Sequence, residues 1–248
     1  MKIDVVLLTK NSERMLSSCL ESIFSNIPIN RLVVVDGHST DKTLEIVENF
    51  CYCYNVPMVL IFDCGTRATA RQKGIDILAT KWFMFIDSDV VLNPNWFNDE
   101  VLSLMSNPRV GAVDGYDFPV VPAWALELRE AMSLLRSFTR RIVKRGFSGG
   151  RFDSAFTGDT LIRTEAVKGI KIPSYLHICE DSYIRGFIEK RGFKWIVSEK
   201  STCIHYLQTY RERDIIDRGA LGYKMGFLKS SDVFRASLTV VPKGILPA

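Results

Sequence analysis

The stretch that decides the fold is Trp82-Phe83-Met84-Phe85-Ile86-Asp87-Ser88-Asp89, in which an apolar run ends on two carboxylates. The run predicts a buried β-strand, and because strand side chains repeat with period two, Asp87 and Asp89 are expected on the same face. Two carboxylates held that close repel each other unless one keeps a proton or a cation lies between them. A hard divalent ion meets this need, so the strand end is a candidate metal site. On the triplet alone, a solvated turn after a buried strand stays open as an alternative.

The composition is that of an ordinary globular protein, with 248 residues, 47% hydrophobic content and 24% charged content. A chain of this length buries about 70–75% of the surface of its unfolded form, so any bound metal is expected to be functional rather than structural. The net charge of +4 is too small to indicate nucleic acid as a partner. No run approaches the ~20 apolar residues of a membrane span.

The cysteine pattern bears on the compartment. The chain has six cysteines, but it has no Cys-x-x-Cys pair and no N-terminal signal peptide pattern. This argues against a zinc cluster and against a secreted disulfide framework. We therefore expect reduced, mostly buried thiols and a cytoplasmic protein.

The first half of the chain alternates between strand-like and helix-like segments. Apolar runs predict strands at Ile3–Leu8, Leu32–Val35, Met58–Phe62 and Trp82–Ile86. Helical spacing of apolar residues predicts helices at Ser12–Ser25, with Ser12 as the cap, at Asp41–Phe50 and at Thr69–Leu78. This order is typical of an α/β protein with a mostly parallel sheet and helices on both faces.

Polar groups follow three of the predicted strands. They are Thr9-Lys10-Asn11, the segment from Asp36 to Asp41, and Asp87-Ser88-Asp89. In sheets of this class, ligands bind outside the carboxyl ends of the strands, so we expect these three ends to meet at one crevice. The Gly-x-Gly-x-x-Gly and Walker phosphate loops are absent after the first strand, which disfavours nicotinamide cofactors and ordinary NTPases.

Six short motifs, in this order, resemble the nucleotide-sugar-dependent glycosyltransferases of glycosyltransferase family 2. The resemblance covers the chain from about Ile3 to Tyr206. Thr9-Lys10-Asn11-Ser12-Glu13 is similar to the opening Thr-x-Asn-x-Glu of the family, and the segment from Val34 to Thr43 is close to its Val-Asp-x-x-Ser-Thr-Asp-x-Thr. The other motifs are Ala70-Arg71-Gln72-Lys73-Gly74, Phe85-Ile86-Asp87-Ser88-Asp89, Thr157-Gly158 with Arg163, and Glu180-Asp181.

The resemblance implies a GT-A fold, which is Rossmann-like, with a mixed, mostly parallel sheet flanked by helices in a single domain. Residues 1–210 would form this domain, with a nucleotide-binding half (1–90) and an acceptor half (91–210), and residues 211–248 would form a helical C-terminal extension. The implied enzyme is an inverting glycosyltransferase of hexosyltransferase type that uses Mn²⁺ or Mg²⁺. It would move a sugar from a UDP- or GDP-sugar donor to a saccharide or polyprenyl-phosphate-type acceptor.

The family pattern assigns the donor to residues at the strand ends. These are Thr9, Asn11, Glu13, Asp36, Arg71, Asp87 and Asp89. Three of these residues also have plainer interpretations. Asp36 could form an Asx turn before the next helix, and Asn11 could only shape its turn. The fork of Arg71 suits a phosphate oxygen or a neighbouring carboxylate, although most arginines on such helices face solvent.

The same resemblance implies a metal site around the Asp-x-Asp motif. Asp89 would be a direct ligand, and Asp87 would contact the ribose or reach the ion through water. A diphosphate leaving group departs faster when a Lewis acid neutralises its charge. His205, just after the last core strand, would be a third ligand, although a lone histidine is more often a hydrogen-bonded structural residue.

The acceptor side is assigned to the later motifs. Inverting transfer needs a base that removes the proton of the acceptor hydroxyl, and the family pattern points to Asp181, with Glu180 orienting the substrate. The alternative is that these two acids cap the helix that they open, which is compatible with catalysis. Gly158 would allow close approach of the backbone to the acceptor, although a simple turn glycine would look the same.

Two basic segments depart from a minimal family member. Residues 136–151 carry six basic side chains on an amphipathic pattern, and the segment could bind a membrane surface or lipid phosphate. A solvated helix face followed by the glycine-rich loop at 146–150 is the alternative. Residues 211–248 could pack on the acceptor groove, lie on the inner face of the membrane or form a dimer contact.

Two other functions fit parts of the sequence. Asp87-Ser88-Asp89-Val90-Val91 also fits the Asp-x-Asp-x-(Thr/Val) motif of haloacid-dehalogenase-like phosphatases, in which Asp87 would be the nucleophile. That superfamily normally places its nucleophile on the first strand, whereas three strand-helix units precede Asp87. The second alternative is a nucleotide-sugar-binding module that has lost transfer activity.

Overall fold

A computed structural model of the chain describes residues 1–120 and 157–206. The strands are β1 (Ile3–Thr9), β2 (Ile29–Asp36), β3 (Met58–Phe62), β4 (Trp82–Asp87), β5 (Val90–Leu92), β6 (Val110–Val120), β7 (Asp159–Arg163) and β8 (Lys194–Tyr206). The helices are α1 (Glu13–Asn26), α2 (Thr43–Cys53), α3 (Arg67–Asp76), α4 (Asp99–Ser106) and α5 (Glu180–Lys190), with a 3₁₀ turn at Thr164–Val167.

Within the described ranges the strands form one sheet in the order β3-β2-β1-β4-β7-β6-β8-β5. Strands β1 to β4 pair in parallel, and so do β6 and β8. Strand β7 runs antiparallel to β4 and β6, and β5 runs antiparallel to β8. The mixed, mostly parallel sheet expected from the sequence is therefore confirmed.

Helices cover both faces of this sheet. On one face Val5 and Leu7 belong to a cluster that includes Leu16 and Leu20 of α1. On the other face Val6 belongs to a cluster that includes residues of α3 and α5. Because neighbouring strand residues point to opposite faces, the central strands are buried on both sides and read as unbroken apolar runs.

The structure confirms the order of strands and helices in the first half and corrects two details. Strand β4 ends at Asp87, and Asp89 lies in the turn before β5. The period-two argument therefore does not apply to Asp89, and the expectation that both carboxylates leave one strand face is wrong. Ser12 occupies the N-cap of α1 but makes no capping hydrogen bond. Its hydroxyl instead contacts the hydroxyl of Ser88 at 2.8 Å.

Some predictions fall on residues that the structure does not describe. The basic segment 136–151, the glycine-rich loop at 146–150 and the extension 211–248 lie outside the described residues. Within the described part of the chain, no helix has the length and apolar character needed to cross a bilayer. None of the six cysteines, all of which lie in the described ranges, is in a disulfide, and four of them are buried, as expected.

Candidate active site

The carboxyl ends of three parallel strands meet at one edge of the sheet. In the β-sheet register, Thr9 of β1 lies opposite Asp36 of β2. The preceding residue of β1, Leu8, lies opposite Asp87 of β4. The expectation that the polar strand ends gather at one place is therefore confirmed, and this edge is where an α/β sheet of this kind binds ligands.

Asp36 is fully buried at this edge, and its carboxylate is held by the protein itself. The hydroxyl of Thr9 donates to Oδ2 at 2.7 Å. Ser39 donates its backbone N–H to Oδ1 at 2.7 Å and its hydroxyl to Oδ2 at 2.6 Å. These bonds close the loop after β2, which is the turn-forming alternative considered for Asp36. Contact of Asp36 with a nucleoside stays a prediction.

The loop after β1 is tied to the loop after β2. The N–H of Asn11 donates to Ser39 Oγ at 2.8 Å, and Asn11 Oδ1 accepts the N–H of Thr40 at 2.8 Å. Glu13 Oε2 accepts the N–H of Lys42 at 3.0 Å. Asn11 adopts a φ of 48°, a left-handed conformation that asparagine tolerates better than most residues. Both side chains therefore shape the loops, and their contacts with a donor stay predictions.

Arg71, on α3, is buried below the strand ends and binds two carboxylates. Its Nη2 lies 3.0 Å from Asp87 Oδ1, and its Nε lies 3.4 Å from Glu180 Oε1. Burial opposes the charge of Arg71, but Asp87, Glu180 and Asp181 outweigh it and raise the pKa of the guanidinium. Of the partners considered for Arg71, the structure provides neighbouring carboxylates, and the solvent-facing alternative is wrong.

Asp89 faces a histidine on the neighbouring strand. Asp89 Oδ1 lies 3.4 Å from His205 Nε2, and Asp117 Oδ2 lies 3.6 Å from His205 Nδ1. Strands β5 and β8 place His205 there, because Val90 pairs with His205. Burial opposes protonation of the ring, but hydrogen bonds to Asp117 and Asp89 raise the pKa of His205 to about 10. The expected neighbours Asp89 and His205 are therefore brought together.

The chemistry of this pair fits Mn²⁺ or Mg²⁺ as an ion that arrives with a phosphate ligand. Asp89 offers a carboxylate oxygen and His205 offers a ring nitrogen, whereas Arg71 already engages an oxygen of Asp87. In residues 1–120 and 157–206, no group of three or more His, Cys, Asp or Glu side chains is arranged to hold a metal by itself. Magnesium is commonly held by one or two protein groups together with substrate phosphates and water.

Helix α5 opens with the two acids predicted to serve the acceptor. Glu180 is buried and pairs with Arg71. Asp181, in the first turn, accepts the N–H of Ser182 at 2.7 Å through Oδ1. Asp181 therefore does bind the helix N-terminus, which was the alternative to a catalytic role and does not exclude it. Gly158 lies beside Asp87, whose N–H its carbonyl accepts at 3.0 Å, and its contact with an acceptor stays a prediction.

The family comparison decides the class of this site. The family model for glycosyl transferase family 2 matches residues 4–167, which is more than half of the chain. The chain belongs to glycosyl transferase family 2. Curated relatives of this family 2 protein include a poly(ribitol-phosphate) beta-glucosyltransferase of Bacillus spizizenii, 28% identical over 107 residues, or 40% of this chain and 17% of that protein. A PGL/p-HBAD biosynthesis glycosyltransferase of Mycobacterium tuberculosis is 30% identical over 87 residues, or 34% of each chain. The matched segment thus spans about a third or less of these relatives.

Solved structures share the fold of this family 2 chain. TarS of S. aureus in complex with UDP-GlcNAc matches with a TM-score of 0.65 and 16% identity, over 95% of this chain and 70% of that one. A mannosyltransferase from Pyrobaculum calidifontis in complex with GDP-Man and Mn²⁺ matches with a TM-score of 0.63 and 17% identity, over 95% and 68%. These neighbours confirm the GT-A fold.

Family 2 membership does not favour the phosphatase alternative. The nucleophile of that alternative, Asp87, ends the fourth strand along the chain, and one of its oxygens is engaged by Arg71 at 3.0 Å. The GT-A fold gives Asp87 a different setting, beside the turn that carries Asp89.

The family 2 motifs did not point to three aspartates on β6 and β7. Asp117 faces His205, and Asp159 accepts the indole N–H of Trp96 at 2.9 Å. Burial raises the pKa of Asp159 from 3.8 to about 6. Burial and then repulsion from Asp159 raise the pKa of Asp114 well above 3.8. Acidic residues inside apolar strands were the sequence signal that could have drawn attention to them.

Proposed function

We propose that this chain is a divalent-metal-dependent, inverting glycosyltransferase of hexosyltransferase type. It moves a sugar from a nucleoside diphosphate donor to a hydroxyl or phosphate acceptor. The observation that carries the proposal is the run of ion pairs from Asp87 through Arg71 to Glu180, at 3.0 and 3.4 Å. These contacts join the turn that carries Asp89 to the helix turn that carries Asp181. A leaving diphosphate and an attacking hydroxyl must meet at one sugar carbon, and this arrangement provides carboxylates for both.

On the donor side, Asp89 and His205 are the residues that would hold Mn²⁺ or Mg²⁺. When bound, the ion neutralises charge that develops on the departing diphosphate. Asp87, fixed through one oxygen by Arg71, keeps its other oxygen for a ribose hydroxyl or a water. The complexes of similar proteins with UDP-GlcNAc and with GDP-Man support a nucleotide-sugar donor and leave uridine and guanosine as candidates.

On the acceptor side, Asp181 is proposed as the general base. Its carboxylate takes the proton of the acceptor hydroxyl as that oxygen attacks the sugar carbon from the face opposite the diphosphate, which inverts the anomeric configuration. Glu180 is buried against Arg71 and fixes the start of α5, so that Asp181 is held in place. The acceptor is proposed to be a saccharide or a polyprenyl phosphate.

A donor screen tests the proposed substrate class. The melting temperature of the protein is measured with UDP, GDP and their hexose conjugates, each with and without Mn²⁺. Because a ligand that binds only the folded state stabilises it, we expect one nucleotide series to raise the melting temperature, and more so with Mn²⁺. No shift with any nucleotide sugar would contradict the proposal.

Replacement of Asp181 tests the mechanism. We expect Asp181→Asn to lower turnover by about 10²- to 10⁴-fold with little change in donor affinity, because the base acts only in the transfer step. Glu189→Gln, an exposed carboxylate on the same helix, is the matched control. Near-normal transfer by folded Asp181→Asn would remove the base assignment. Donor binding by the wild type without turnover on any saccharide or polyprenyl phosphate would support the inactive binding module instead.

A further inference from the structure

Asp117 makes a contact that the family motifs do not account for. It lies on β6, and its Oδ2 is 3.6 Å from Nδ1 of His205, on the ring edge opposite Asp89. The side chain of His205 is only 10% exposed, so contacts with neighbouring side chains restrict its orientation. The Nε2 edge of the imidazole ring thus faces Asp89, and the Nδ1 edge faces Asp117.

An interruption in strand pairing places Asp117 there. Strands β6 and β8 pair Asp114 with Val197, then skip to the pair between Tyr116 and Thr202. Without the skip, the register would set Asp117 opposite a residue three positions earlier in β8. With it, Asp117 pairs with Cys203, two residues before His205, which makes Asp117 a diagonal neighbour of the ring. Such irregularities re-aim side chains next to functional sites.

The side chain of Asp117 is 26% exposed, but one of its carboxylate oxygens is enclosed by protein. Its Oδ1 is buried and has no hydrogen-bond partner in the described ranges. A buried carboxylate oxygen without partners is costly, and the contact of Oδ2 with His205 offsets part of this cost. Asp117 thus contacts a ring that can lose a proton, whereas Asp87 pairs with Arg71, a cation that never loses its charge.

We infer that Asp117 is a positioning residue that contacts the Nδ1 edge of His205 and orients the ring so that Nε2 faces Asp89 and a divalent cation bound there. Histidines that ligate metals commonly donate their other ring N–H to a carboxylate, which sets the tautomer and orients the ring. The inference rests on the proposed function, because it takes Asp89 and His205 to be the metal-binding pair. Asp117 itself does not touch the ion or the substrate in this scheme.

Mn²⁺ binding by the full chain tests the inference without any assay of transfer. Free Mn²⁺ is measured by electron paramagnetic resonance with UDP or GDP present, against a blank of nucleotide without protein, for the wild type, Asp117→Asn, Asp117→Glu and His205→Gln. We expect Asp117→Asn to weaken Mn²⁺ binding by about 10- to 100-fold and Asp117→Glu to restore part of the loss. Asp99→Asn, which removes an exposed carboxylate in the first turn of α4, is the control for charge and should bind as the wild type does.

The outcomes separate the inference from the proposed function. If His205→Gln weakens Mn²⁺ binding while Asp117→Asn does not, the role of Asp117 is wrong and the metal pair stands. If the wild type does not bind Mn²⁺, or His205→Gln binds it normally, both the metal pair and the inference are overturned.

A measurement on the wild type covers the case in which Asp117→Asn fails to fold. The ring nitrogens of His205 are observed by ¹⁵N NMR with Mg²⁺ present, with the signal assigned through His205→Gln. We expect the proton on Nδ1 and none on Nε2. A ring that carries a proton on Nε2 under these conditions, alone or together with one on Nδ1, would overturn the inference.

Discussion

Asp87 and Asp89 lie two residues apart, but the protein treats their carboxylates differently. Asp87 pairs with Arg71, a buried cation that cannot lose its charge, at 3.0 Å. Asp89 faces His205, whose ring can give up a proton, at 3.4 Å. The arginine side therefore has the character of permanent architecture, whereas the histidine side can exchange its proton for another cation. The difference indicates which carboxylate holds the fold and which is available for chemistry.

Removal of the arginine should produce the largest change. Arg71→Met leaves Asp87 and the buried Glu180 without their shared cation, so we expect the free energy of unfolding to fall by about 3–5 kcal/mol. Urea unfolding followed by circular dichroism measures this loss. Arg67→Met, an exposed arginine at the start of the same helix, should cost far less. Equal losses for the two variants would mean that the buried pairs do not support the fold.

Replacement of the carboxylate on the histidine side should separate activity from stability. We expect Asp89→Asn to lower turnover by about 100-fold or more, because the proposed divalent ion, which would stabilise the leaving diphosphate, loses a ligand. The free energy of unfolding should fall by less than for Arg71→Met, because Asp117 remains beside the ring of His205 after the change. Initial rates with the donor found by the screen, together with urea unfolding, measure both. A large loss of stability with intact turnover would reverse the comparison.

Asp159, which makes no ion pair among residues 1–120 and 157–206, extends the comparison to pH dependence. Burial raises the pKa of Asp159 from 3.8 to about 6. Between these two pH values the folded state keeps a proton that the unfolded state has lost. The stability that the bound proton contributes is fully present below pH 3.8 and is lost as the pH rises through about 6. The free energy of unfolding at pH 7 is therefore expected to be lower by about 3 kcal/mol than it would be with Asp159 protonated.

The variant Asp159→Asn isolates that contribution, because the amide does not titrate. We expect the difference in unfolding free energy between the variant and the wild type to shift in favour of the variant from pH 4 to pH 7. Urea unfolding at several pH values in this range gives the difference at each point. Parallel pH profiles for the two proteins would mean that Asp159 titrates normally in the folded state.

The smallest expected effect concerns a carboxylate held by neutral donors. Ser39→Ala removes the hydroxyl that donates to Asp36 at 2.6 Å, while Thr9 continues to donate at 2.7 Å. We expect a loss of about 1–2 kcal/mol in the free energy of unfolding. Thr40→Ala, in which only an exposed neighbouring side chain changes, is the matched control. No loss for Ser39→Ala would indicate that Asp36 is satisfied without the hydroxyl.

The sequence predicted the parts of this molecule that local patterns control. Unbroken apolar runs indicated central strands buried on both faces, and the polar groups after β1, β2 and β4 indicated one shared edge. The polar groups that follow β1 and β2 indicated that Thr9 and Asp36 lie at this edge, where the two residues are opposite each other. The sequence could not decide whether the Asp36 carboxylate binds a ligand or the loop, because both roles favour the same Asx-type sequence.

The parts that sequence could not predict depend on distant pairings. Arg71 and Glu180 are 109 residues apart, and no local pattern tells a buried arginine from a solvated one on a helix. The contact between Asp117 and His205 depends on the skip in pairing between β6 and β8, which a strand pattern does not reveal. The position of Asp89 in a turn rather than on β4 was missed because one residue decides where a strand ends.

The long separation between Arg71 and Glu180 has a consequence for synthesis. The first four strands leave the ribosome well before α5. The guanidinium of Arg71 in the nascent chain therefore lacks the carboxylate of Glu180 until α5 has been made. Until then the interior charge is only half matched, which is costly in a low-dielectric setting. Docking of α5 is therefore expected to be a late step that completes the surroundings of Arg71, so that a translation product truncated before α5 lacks both Glu180 and the proposed base, Asp181.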